Sequence, residues 1–213
     1  MANKILVFIE QRNGQIKRSS FEAVHLAAQM ASKLSTGVEA IAIGNEIQNL
    51  EKTGGYGAVK VTHYKNQQLE NYSASAYKDI LAKHFIDNNF DILIISNTSL
   101  GKDLAPRIAV KIDAGIAMDC TSFSYENGNI IATRPVYAGK ALIDVKITSN
   151  KKVFSLRPNV FAAGTPTDLQ SEIEVKNVEN PNLAEKVVDI KKSDSRLDVA
   201  EADIIVSGGR GLK

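Results

Sequence analysis

FDILIISNTSLGKDLAPRIAVKID, residues 90–113, carries three patterns in one stretch. Ile92 to Ile95 form an unbroken apolar run, as expected of a strand covered on both faces of a parallel sheet. Ser96, Asn97, Thr98, Ser99 and Gly101 then make a polar turn. From Leu100 the pattern reads as a helix, with Pro106 in or near its first turns, where a missing N–H is tolerated. Strand, short turn and helix in that order make a βα unit, the repeating element of an α/β sheet.

The same alternation extends toward the N-terminus. Ile5–Ile9 is a second continuous apolar run. A helix is expected from Ser19 or Ser20, either of which can cap it, to Leu34, with Phe21, Val24, Ala28, Ala31 and Leu34 at helical spacing. Gly37 is expected to end it, before a strand in VEAIAIG. A short helix near Ile47 to Lys52, the turn TGGYG and a strand in AVKVTHY follow. Ser73 or Ser75 starts another helix, with Tyr77, Leu81, His84 and Phe85 on one stripe.

After Cys120 the period changes. NIIATRPVYAG, KALIDVKITS and KKVFSLRPNVF read as short strands in a hairpin layout, an antiparallel extension of the same sheet. Beyond Gly164 come a polar strand in SEIEVKNVE and a further one in KVVDIKK. A charged linker in KSDSRLDVAEA leads to a new strand in DIIVS. The expected fold is α/β, a Rossmann-like three-layer domain over 1–192. Residues 193–213 are expected to form a linker and the first strand and turn of a second domain.

With 26 basic and 24 acidic residues the net charge is +2, which gives no electrostatic case for nucleic acid or an anionic membrane. The single cysteine, Cys120, excludes an internal disulfide, fits a reducing compartment and reads as a buried, inert thiol. The run Ile5–Ile9, ended by Glu10, is too short for a signal sequence, and nowhere is there an apolar run near the ~20 residues a membrane span needs. A soluble, intracellular chain without direct membrane insertion is expected.

Three candidate sites stand out. At the turn of residues 96–102, backbone amides with Lys102 and Arg107 offer an anion site, against the plainer reading of a capped strand-to-helix connection. In TRPVYAGKAL, Arg134, Tyr137, Gly139 and Lys140 suit a small-molecule site or, preferably, a subunit interface. The chain closes on DIIVSGGRGLK, where Gly208 and Gly209 permit close backbone approach and Arg210 offers a planar fork for a pyrophosphate or an electron-rich ring. His25, His63 and His84 show no metal-ligand spacing. No nucleophile elbow, zinc-protease motif or paired-carboxylate signature supports hydrolase chemistry.

Taken in order, KILVFIE, LGKDLAPRIAVKI, RPVYAGKAL, KVFSLRPNVF and DIIVSGGRGLK resemble the α subunit of electron-transfer flavoproteins, over essentially the whole chain. The resemblance implies an adenine-nucleotide α-hydrolase-like fold. It also implies a heterodimer with a β subunit, carrying electrons from dehydrogenases, such as the acyl-CoA dehydrogenases of fatty acid β-oxidation, via FAD to a quinone oxidoreductase. It makes the chain an electron-carrier subunit without a substrate of its own. Arg210 would be a flavin contact, with Gly208 and Gly209 shaping its turn. Most of the family's FAD domain has no counterpart in these residues, so the chain reads as a fragment that binds FAD negligibly. A bacterial cytoplasmic location is preferred over a mitochondrial matrix. The rival readings are a stand-alone universal-stress-type module, binding an adenine nucleotide at Ser96–Lys102, and an enzyme of the adenine-nucleotide hydrolase or ligase group. The loop is less Gly-rich than the first requires, and IEQRNGQIKRSS lacks the early pyrophosphate loop of the second.

Overall fold

Apolar runs that alternate with helical stripes have to be stacked so that helices cover both faces of the strands. The computed structural model describes residues 4–126, 128–188, 206–209 and 211. Along the chain run β1 (Ile5–Ile9), β2 (Gln11–Arg12), β3 (Gln15–Ile16), α1 (Arg18–Leu34), β4 (Val38–Gly44), β5 (Lys60–Lys65), α2 (Ala74–Asp87), β6 (Ile92–Ser96) and α3 (Ser99–Lys111). Then come β7 (Gly115–Cys120), β8 (Ser122–Glu126), β9 (Asn129–Val136), β10 (Ala141–Lys146), β11 (Lys152–Leu156) and β12 (Glu172–Asn177).

Seven strands make the central sheet in the order β12-β5-β4-β1-β6-β11-β7, and every pairing in it is parallel. Ile5, Val7 and Ile9 point toward α1, while Leu6 and Phe8 point toward α2 and α3. That two-sided burial is why β1 and β6 are unbroken apolar runs. From β1 the chain moves outward through β4 and β5, then crosses to β6 on the other side. The crevice for a ligand in such a sheet lies at this switch, beyond the strand C-termini.

The polar extension differs from the expectation in two ways. β8, β9 and β10 are antiparallel, as expected, but form a separate three-stranded sheet. Ile130 and Ala132 turn inward to the core on the α1 side. KKVFSLRPNVF supplies β11, which returns to the central sheet in parallel between β6 and β7. Val153, Phe154, Ser155 and Leu156 are all buried, and such a run needs an interior position rather than a hairpin with a wet face.

Local details also move. α1 begins after Lys17 with no side-chain cap. Ser20 instead accepts from the Glu10 N–H and donates to its carbonyl, tying the helix to the end of β1. Its buried apolar residues are Ala23, Val24, Leu26, Ala27, Met30 and Ala31, so Phe21, Ala28 and Leu34 lie at the rim. The helix ends at Ser35, which takes the left-handed conformation expected of Gly37. The short helix lies at Leu50–Tyr56, as a 3-10 turn that absorbs most of TGGYG. Gly54 is needed there because a Cβ would stand 2.3 Å from the backbone of Gln170. Ser73 caps α2 and Thr98 caps α3. Pro106 sits inside α3, beyond its first turns, where it leaves the Lys102 carbonyl without the usual helical donor.

SEIEVKNVE forms β12, a parallel edge strand. Lys186 to Val188 show no strand, and the rest of KVVDIKK lies outside the described residues. So do the linker, most of DIIVS and the expected division after residue 192.

Candidate functional site

The crevice at the sheet's C-terminal end is built by residues at or just beyond the C-terminal ends of β1, β6, β7 and β11. After β6, Asn97 donates to Asp119 Oδ1 at 2.8 Å and its own Oδ1 accepts from Ser155 at 2.8 Å. Arg157, after β11, closes a bidentate pair on Asp119 at 3.0 and 2.6 Å. Asp119 stands in the left-handed region (φ 63°), where the β7–β11 register shifts, and this aims its carboxylate at both partners. Arg157 holds that carboxyl below the usual range. Nearer the switch, Thr98 caps α3 and donates to the Glu10 carboxylate after β1. Ser96 donates to the Ser19 carbonyl, and Lys17 stands 3.9 Å from Glu10.

These polar groups are therefore engaged with one another. Arg107 pairs with Asp103 at 2.9 Å, Lys102 is exposed, and Glu10 brings negative charge to the crevice. The arrangement is that of a capped strand-to-helix connection, and it weighs against an adenine-nucleotide site at Ser96–Lys102. The Asp119–Arg157 clamp is the part sequence reasoning missed. Its signal was present: GIAMDC and VFSLR each carry one charge at the end of an apolar run, and the fold lays those ends side by side.

The hairpin of β9 and β10 is different in kind. Tyr137, Ala138 and Gly139 take successive positive φ values of 51°, 55° and 85° at its tip. For the two non-glycine residues this costs roughly 1–2 kcal/mol each. Tyr137 is 82% exposed, and Leu142 and Ile143 are exposed beside it. Lys140 is solvated, while the Arg134 Nε is buried without a hydrogen-bond partner among the described residues. Thr133 donates to Asp144 at 2.7 Å. Against the same sheet lies an open, mainly apolar groove of about 480 Å³, lined by Leu26, Phe123, Tyr125 and Phe161 with Lys33 at its side.

The histidines do not converge. His25 approaches Gln29, and His63 and His84 are buried apart. Among the described residues no group of three metal-ligand side chains occurs. Burial pushes the Cys120 thiol up to about 12, which leaves it protonated and inert. No helix of the described residues is long and apolar enough to cross a membrane.

Of the terminal turn, Arg210 lies outside the described residues, while Gly208 and Gly209 are exposed. A Cβ at Gly209 would meet nothing within 4 Å, so no wall of the described residues stands opposite the turn. A flavin dinucleotide needs a concave site that covers most of its surface. The described residues do not by themselves fit that group.

A family model described as electron transfer flavoprotein domain matches residues 5–183. The electron transfer flavoprotein subunit alpha of Bacillus subtilis (strain 168) is 32% identical over 100% of this chain and 66% of its own length. Protein FixB of Clostridium saccharobutylicum is 31% identical, over 98% and 64%. The acryloyl-CoA reductase electron transfer subunit beta of Anaerotignum propionicum is 28% identical, over 98% and 65%. The chain thus spans about two-thirds of the length of these relatives. Parallel sheet, antiparallel side sheet and whole-chain similarity lead to one assignment: this chain belongs to the electron transfer flavoprotein domain family, and corresponds to the N-terminal part of its α subunits.

Proposed function

We propose that this chain is the subunit-packing part of the α subunit of a heterodimeric electron-transfer flavoprotein. Its β9–β10 hairpin is the surface that meets the β subunit. In the assembled cytoplasmic protein, bound FAD would supply the electron transfer from dehydrogenases, acyl-CoA dehydrogenases among them, to a membrane-bound quinone oxidoreductase. Residues 1–192 pack against β. Residues 193–213 would lead into the flavin domain, where Gly208 and Gly209 would shape a turn and Arg210 would contact the flavin. The chain's own residues bind and orient, and the redox chemistry is the flavin's when bound.

The observation that carries this reading is the exposed apolar edge at Tyr137, Leu142 and Ile143, flanked by Lys140 and a buried Arg134 Nε that lacks an acceptor among the described residues. Aromatic, aliphatic and arginine side chains so placed are the usual anchors of a protein interface. Titrating the β subunit into this chain tests it. Lys140→Glu is expected to weaken association several-fold, and unchanged affinity counts against the hairpin as the interface. The chain alone is expected to take up negligible FAD. A stoichiometric yellow complex of the purified chain overturns that part.

A further inference from the structure

β10 is the end strand of its sheet, so one of its backbone edges faces no strand among the described residues. Which amides face that edge follows from the register. Leu142 stands opposite Pro135, Ile143 opposite Arg134 and Asp144 opposite Thr133. In an antiparallel ladder, pairs that exchange both N–H···O bonds alternate with pairs whose backbone groups point away from each other. Pro135 has no N–H, and the Thr133 carbonyl accepts from the Thr121 amide at 2.8 Å, on the side away from β10. Leu142 and Asp144 therefore turn their N–H and C=O groups outward, and Lys146 does so by the same alternation.

Two of the end strands among the described residues, β12 and β10, are guarded differently. β12 edges the central sheet with Glu172, Glu174 and Lys176, and Glu174 is engaged by Lys60 at 2.8 Å and Lys176 at 3.2 Å. Charged side chains of this kind are a standard bar to strand addition. β10 carries Ala141, Leu142, Ile143 and Val145 instead, with Asp144 already accepting from Thr133. Lys140 precedes it and Lys146 ends it, both exposed, and Arg134 lies cross-strand from Ile143. The surplus is positive, so an identical strand from a second copy would bring like charge. A strand bearing carboxylates complements it.

We propose that the β subunit binds by adding an extended, carboxylate-bearing strand to the outer edge of β10. The added strand bonds to the backbone of Leu142, Asp144 and Lys146, in the mode of β-augmentation. This rests on the reading of the hairpin as the β-subunit interface and specifies how it is made.

Residue-resolved amide exchange of this chain, alone and with the β subunit, tests it. In the complex the amides of Leu142, Asp144 and Lys146 are expected to slow by about tenfold or more, while Ile143 and Val145, already bonded to β9, change little. Leu142→Pro removes one outward N–H at a position where an edge strand tolerates proline. It is expected to weaken binding about tenfold more than Leu142→Ala, with the fold checked by amide exchange at β6. Binding without protection of the three outward amides, or equal affinity of the two variants, overturns strand addition and leaves the pairing with β standing. Protection that appears without β, at concentrations where the chain self-associates, assigns the edge to a second copy and also overturns it. Failure of β to bind at all overturns the underlying reading.

Discussion

Strands β6 and β10 use similar residues, ILIIS and ALIDVK, yet every residue of β6 is buried and five of the six in β10 are exposed. β6 lies between β1 and β11, with α1 covering one face of the sheet and α2 and α3 the other. β10 has one neighbouring strand among the described residues, and of its side chains only Val145 packs against the core. The same apolar side chain is therefore a folding residue in one sheet and a surface residue in the other. Its role is set by how many layers the chain brings to it. Exposed leucine and isoleucine beside a strained, tyrosine-bearing tip concentrate apolar surface where a partner can cover it.

The comparison is broken most sharply at β11. Phe154 is fully buried in the central sheet, and its ring meets Phe123 of the small sheet edge-on at 5.3 Å. Phe154→Ala removes a buried ring and the contact between the two sheets, and is expected to cost about 3–5 kcal/mol. Urea unfolding of both proteins reads it. A loss below about 1 kcal/mol means that the two sheets are not packed through this ring.

A second effect belongs to the far face of the central sheet. His84 on α2 is 2% exposed, contacts the Tyr64 hydroxyl at 3.2 Å and lies against the ring of Phe90. Burial first, and Lys176 next, lower its pKa from 6.5 to about 4. Because the folded value is depressed, the neutral imidazole's contribution is full above pH 6.5 and is lost as pH falls through about 4. The loss attributable to it is on the order of 3 kcal/mol. The stability difference between the native chain and His84→Gln, followed from pH 7 to pH 4, isolates it. Parallel curves exclude the histidine as the titrating group.

Smaller again is the crevice clamp. Asp119→Ala deletes the acceptor of Asn97 and Arg157 at a partly exposed site, for an expected loss of about 1–2 kcal/mol in the same urea experiment. Solvent screening of the exposed Arg157 keeps the figure at this level. A neutral result means that Arg157 finds water as good a partner.

The central sheet was legible because its buried strands carry unbroken apolar runs, and α2 because Ser73 caps a regular stripe. The place of KKVFSLRPNVF was not legible. A short apolar run after two alternating strands looks like a third hairpin strand, and only the need to cover Val153 and Phe154 on both faces sends it into the interior. α1 misled for a local reason: Ser20 serves the backbone of Glu10 rather than its own helix end. The crevice was half legible. Thr98 announces its cap, but the Asp119–Arg157 clamp joins charges 38 residues apart whose proximity exists only after β7 and β11 pair.

The finest test is a change that should barely register in folding. Leu142 is 66% exposed on β10, so truncating it removes little apolar surface that folding had buried. Leu142→Ala is expected to alter stability by no more than about 0.5 kcal/mol, as at other surface positions. If the hairpin meets a partner, the same truncation removes an anchor and lowers affinity for the β subunit by about tenfold, roughly 1.4 kcal/mol. Measuring both quantities on one variant separates the two roles of an apolar strand. A stability loss of core size places Leu142 with Phe154, as a residue that folding itself covers. A neutral result in both measurements makes it ordinary surface and moves the interface elsewhere on the molecule. Only a stable variant that binds weakly keeps the contrast between β6 and β10 as drawn: one strand covered by its own chain, the other kept open for a second.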